Sequence, residues 1–170
     1  KFVAKRLLEY GNTIKLAYNI ADALNNSSFT GWIVEFDFIQ KVKAGKIEMT
    51  DSDDKIVVLE SRPVVSFEVS NEGIQMIQQH IKTHWLIPSK WNQGGFDLVC
   101  LMQFQEGYML RFIQITNAST HNLKLNFFSN LSQMLQKELI IEIERTEIII
   151  AVPMENLSSF SMNQRSVTNS

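Results

Sequence analysis

The sequence predicts an α/β fold with a mixed β-sheet and flanking helices. Three observations carry this. Residues 96–102 are an almost continuous apolar run, the pattern of a strand covered on both faces. A second β-rich run over 108–116 follows a turn at 103–107, so the two form an antiparallel hairpin in the middle of the sheet. A helix and a last β-rich run over 146–153 come next. The order strand–turn–strand–helix–strand lays that helix across the sheet and sets the last strand parallel to 108–116.

Composition bounds the rest. A chain of 170 residues fits one domain with a sizeable core, and 45% apolar with 20% charged residues excludes a disordered chain. Eighteen acidic against sixteen basic residues leave a net charge of −2, so any nucleic-acid contact must rest on a local patch. The single cysteine, Cys100, excludes an internal disulfide and a multi-cysteine zinc site, and points to a reducing, intracellular setting. No apolar run approaches the roughly 20 residues of a membrane helix. The chain opens at Lys1 without a methionine, which reads as a fragment or an excised domain.

The first segment has helical spacing at Val3, Leu7, Leu8, Ile14, Leu16, Ile20, Ala21 and Leu24, with Gly11-Asn12 as an interruption. Residues 1–28 are thus a helical arm, either the end of a preceding domain or a scaffold helix of this one; 29–153 form the core, and 154–170 a polar tail. A second helix is predicted over 30–44, with Thr30 as N-cap and Gly45 as its stop. Trp32, Phe36 and Ile39 define its apolar stripe, and Glu35 falls on that stripe. An inward carboxylate costs stability unless paired, hydrogen-bonded or bound to a cation; the alternative is a slightly rotated helix with Glu35 at the rim.

Short strands follow at 46–49, 56–59 and 64–69, with an acidic turn at 50–54. That turn lacks the glycine and the distal glutamate of a calcium loop and reads as a solvated hairpin turn. Residues 71–85 are predicted as a helix carrying His80 and His84 on one face. Without the glutamate of a zinc-protease helix, the pair reads as solvated histidines. A loop over 87–95 then leads to the hairpin. Folding the hairpin about its turn brings Asp97 opposite Gln114 and Thr116, which share one face. An aspartate opening a buried strand needs a reason, either a functional one or a capping of loop amides beside Gly94-Gly95. The next helix, over 123–135, has Leu123, Phe127, Leu131 and Leu135 as its stripe. Trp32, Phe36, Ile39, Val99, Leu101, Phe112, Ile113, Phe127, Leu131 and Ile149 are the predicted core.

Gly31-Trp32-Ile33-Val34-Glu35, Phe96-Asp97 opening a hairpin, Phe112-Ile113-Gln114-Ile115-Thr116, then Thr120-His121 and Lys124 together carry a resemblance. Over about residues 29–160 the chain resembles the restriction-endonuclease-like domain of Crinkler and retrotransposon hot spot proteins. The resemblance implies a PD-(D/E)xK-type nuclease fold, a nucleic-acid substrate with DNA ahead of RNA, Mg²⁺ or Mn²⁺ as cofactor, and a nuclear location. The family often follows an NTPase domain in a longer chain; no phosphate-binding Gly-x-x-x-x-Gly-Lys-Ser/Thr loop occurs here, so the resemblance puts any NTPase outside this segment.

The resemblance places Asp97 at the metal-binding aspartate, Gln114 at the acidic position, Thr116 at the lysine position and Glu35 at the helix glutamate that joins the metal. Magnesium asks for hard oxygen ligands and stabilises charge on a phosphodiester under attack, while a lysine commonly helps to activate water. Gln114 offers an uncharged oxygen and Thr116 no cation, so the implied site is weakened. Lys124 is the alternative source of positive charge, and His121 of proton transfer. Three readings stand: a metal-dependent nuclease, a non-catalytic nucleic-acid-binding module on the same fold, and an interaction module docking through an exposed strand or the first helix. A basic stripe aligned with Asp97 separates the first two from the third.

Overall fold

The computed structural model describes residues 13–51, 53–90 and 94–163. The chain runs through α1 (Thr13–Ala23), α2 (Ser27–Ala44), a hairpin of β1 (Ile47–Thr50) and β2 (Ile56–Leu59), then β3 (Val64–Phe67), α3 (Asn71–Met76) and β4 (Trp85–Pro88). The predicted hairpin follows as β5 (Leu98–Phe104) and β6 (Gly107–Ile115). After it come β7 (Thr120–Asn122), α4 (Leu125–Leu139), β8 (Ile143–Ala151), α5 (Met154–Leu157) and β9 (Ser161–Asn163).

The main sheet has five strands in the order β3-β4-β5-β6-β8. It is mixed: β3 and β4 are parallel, β4–β5 and β5–β6 antiparallel, and β8 runs parallel to β6. The α/β class, the mixed sheet and the parallel last strand are therefore as the sequence predicts. Both faces of the sheet are covered. On one face Val99, Leu101, Leu110 and Phe112 meet Phe128, Leu131 and Leu135 of α4 and Ile74 of α3. On the other, Leu98, Cys100 and Ile113 meet Val42 of α2 and Leu59 of the β1–β2 hairpin, with Phe38 and Ile39 packed alongside. This is why β5 reads as an unbroken apolar run: four successive residues, Leu98–Cys100 and Leu101, are fully buried.

Several boundaries differ from expectation. The helix expected to start at Thr30 begins at Ser27, because the Asn26 side chain accepts the Phe29 N–H at 3.0 Å; Thr30 instead donates its hydroxyl to the Asn26 carbonyl. Its end at Ala44, with Gly45 following, is as predicted. The helix expected over 71–85 stops at Met76 and continues as tight turns, since Trp85 must enter the sheet: its N–H donates to the Pro63 carbonyl, and it pairs with Val64. In the predicted core, Val99, Leu101, Phe112, Ile113 and Leu131 are fully buried. Trp32, Phe36, Ile39, Phe127 and Ile149 are only half-buried, and Ile33, Val42 and Phe128 hold the central helix positions.

At the ends of the chain, Ala17 and Ala21 of α1 bury against Ile33 of α2, so the arm is docked through small residues. Val3, Leu7, Leu8 and Gly11-Asn12 lie outside the described residues. Residues 154–163, expected within a polar tail, form α5 and β9, and β9 pairs in parallel with β7. No helix among the described residues is long and apolar enough to cross a membrane.

Candidate functional site

The β5–β6 ladder ends with Leu98 opposite Ile113, and Asp97, the residue before Leu98, lies beside the 114–116 segment. Asp97 immediately precedes β5. Its N–H donates to the Ile113 carbonyl at 2.9 Å, and its carboxylate Oδ2 accepts the Ile115 N–H at 2.7 Å. The side chain thus extends the ladder by one bond in place of a backbone carbonyl. The capping role considered for this aspartate is real, although the capped amide belongs to β6 and not to the Gly94-Gly95 loop. Those glycines are needed for another reason. A Cβ on Gly94 or Gly95 would lie 2.7 or 2.5 Å from Phe127, and Gly95 has φ +95°. Phe127 therefore holds the loop that delivers Asp97 to the strand.

Gln114 is in phase with Leu110 and Phe112, which face α4. Its Oε1 is buried and accepts no hydrogen bond. A buried amide oxygen without a donor costs roughly 1–3 kcal/mol, which any N–H, water or cation reaching it would offset. Thr116 continues the β6 backbone, donating its N–H to the Ala151 carbonyl at 3.0 Å. Its hydroxyl accepts the Ala118 N–H at 3.1 Å and so shapes the turn after the strand.

Glu35 lies half-buried on the sheet-facing line of α2, with Phe38, Ile39 and Val42. That helix covers the face of the sheet opposite the one shared by Leu110 and Phe112, with which Gln114 is in phase. Lys124 is exposed at the N-cap of α4 and makes no side-chain cap. Its charge, after burial, helps hold the His121 imidazole below the ordinary histidine pKa. His121 Nε2 is buried and has no hydrogen-bond partner. Nearby in sequence, Lys90 is paired with Glu68 at 2.7 Å, so it adds no unpaired cation to the strand end.

Other candidates resolve as structural. Asp51 spends one carboxylate oxygen on the N–H groups of Asp53 and Lys55, both at 2.9 Å, as a hairpin turn requires. The His80 and His84 rings stack edge-on at 4.6 Å and bond sequence neighbours, Gln79 and Thr83. Burial pushes the Cys100 thiol up to about 12, so it is no nucleophile. Arg111, opposite Cys100 on β6, forms an ion pair with Glu147 on β8. A charged residue inside an apolar strand was the legible signal for this pair, but nothing in the sequence selects Glu147 over Glu142 or Glu144.

The described residues contain no group of three or more His, Cys, Asp and Glu able to hold a metal ion. Of the residues the resemblance implies, Asp97 accepts the Ile115 N–H through one carboxylate oxygen, and Gln114 Oε1 is buried without a hydrogen-bond partner. No family model, curated protein or solved structure matches the chain.

Proposed function

We propose that this chain is a restriction-endonuclease-like domain of the Crinkler and retrotransposon hot spot kind, hydrolysing nucleic-acid phosphodiesters slowly with Mg²⁺ or Mn²⁺. DNA is the preferred substrate and the nucleus the place of action. One observation supports the reading: Asp97 accepts the N–H of Ile115, the residue after Gln114, whose buried Oε1 has no hydrogen-bond partner. A divalent cation held there would stabilise charge developing on the phosphodiester. Asp97 supplies the anionic ligand and Gln114 a neutral one. Thr116 offers no positive charge to a water, and Lys124 at the start of α4 is the nearest exposed replacement in sequence.

A second reading, a nucleic-acid-binding or protein-interaction module without catalysis, has its own support. Asp97 Oδ2 and the Thr116 hydroxyl are both engaged by backbone N–H groups, of Ile115 and Ala118. Cleavage of supercoiled DNA and single-stranded RNA separates the two. Asp97→Ala should abolish cleavage, and Gln114→Glu with Thr116→Lys should raise its rate, with manganese more effective than magnesium. Cleavage persisting in Asp97→Ala refutes the mechanism, and none in the double variant leaves the non-catalytic reading.

A further inference from the structure

β8 is the last strand of the main sheet, nine residues long, and no described residue pairs with its outer edge. Long edge strands are usually protected by lysine, proline or brevity, because their unpaired N–H and C=O groups template another strand. β8 has neither lysine nor proline: its charges, Glu144, Arg145 and Glu147, lie in its first five residues, and Ile148, Ile149 and Ile150 after them are only half-buried. The direction of its backbone groups follows from the ladder. The Ala151 carbonyl accepts the Thr116 N–H, so Ala151, Ile149, Glu147 and Arg145 turn towards β6. Thr146, Ile148 and Ile150 therefore turn their backbone groups outward.

We infer that β8 pairs antiparallel with β8 of a second copy of this chain, about a two-fold axis at Thr146, joining two five-stranded sheets. The charge pattern selects this register. Centred on Thr146, Arg145 of each chain stands opposite Glu147 of the other, in a non-hydrogen-bonded pair where side chains are closest. Each Glu147 then lies between Arg111 of its own β6 and Arg145 of the second copy. Thr146 meets Thr146, an outward-facing residue that bonds through both backbone groups. Centring on Glu144 opposes two like charges, and centring on Ile148 sets Glu147 against Ile149. The two-fold contact is closed, so growth stops at a dimer.

The test is sedimentation of the chain through the micromolar range, together with cysteine trapping. Cys100 is buried and does not compete. Thr146→Cys should oxidise to a covalent dimer, because its Cα atoms would lie about 5.5 Å apart, inside disulfide range. Ile148→Cys should not, because this register separates its two copies by roughly 13 Å. Arg145→Glu and Glu147→Arg should each weaken self-association about tenfold, and mixing them should restore it, because both pairs become complementary again. A chain that stays monomeric, equal trapping at positions 146 and 148, or a mixture no better than either variant alone would overturn the dimer. The cysteine variants decide the matter even if a charge variant folds poorly.

Discussion

Ile140, immediately after α4, is a β-branched residue at φ 52°, ψ 52° and is 92% exposed. The left-handed region costs a residue with a Cβ about 1–2 kcal/mol, and exposure leaves no packing to offset it. Ile140→Gly should therefore raise stability by roughly 1 kcal/mol in urea denaturation, and a loss of stability would contradict the cap assignment. His121 gives a residue-scale prediction with a sign. Its folded pKa is below the ordinary value of 6.5, through burial first and Lys124 second, so the unfolded chain takes up a proton more readily. Its contribution is present above that value and is lost as pH falls below it. His121→Gln should flatten the acid limb of the melting profile, and parallel profiles would contradict the burial of its Nε2. The single residue best legible in the sequence was Asp97, whose type clashes with its pattern; Arg111 carries the same signal inside β6. Burial of the Gln114 and His121 side-chain atoms was not legible, because it depends on what lies across the strand end.

Among the elements, α4 shows how a strict every-fourth-residue stripe drifts off the buried line of a helix. The stripe at Phe127, Leu131 and Leu135 recurs every fourth residue, but a helix turns every 3.6, so the buried line drifts to Phe128, Leu131 and Leu135. Phe128 sits 5.0 Å from the Phe112 ring and 6.4 Å from Phe96, forming an aromatic cluster between α4 and the hairpin. Phe128→Ala should cost about 3–5 kcal/mol by denaturant titration. Phe127→Ala should cost less globally, while loosening the Gly94-Gly95 loop that it supports. Equal losses for the two would put the helix in another phase. The hairpin was legible because its continuous apolar run, turn and return are local in sequence. The early end of α3 was not, because pairing of Trp85 with Val64 joins residues far apart in the chain.

At the scale of the whole molecule, the sheet separates two cores, with α3 and α4 on one face and α2 with the β1–β2 hairpin on the other. The parallel placement of β8 beside β6 was predictable from chain order, since a helix carries the chain from one end of the sheet back to the other. How the candidate site residues sit was not, because Glu35 and Gln114 belong to elements on different layers of the sheet. The proposed cation-binding pair is Asp97 and Gln114. Asp97→Asn isolates the charge, because the amide keeps an oxygen able to accept the Ile115 N–H and preserve the strand end. The most direct measurement is isothermal titration calorimetry with Mn²⁺ on the unmutated chain and on Asp97→Asn. Saturable binding that Asp97→Asn removes, and that Gln114→Glu tightens, is the predicted result. No heat of binding in the unmutated chain, or binding unchanged in Asp97→Asn, would contradict it.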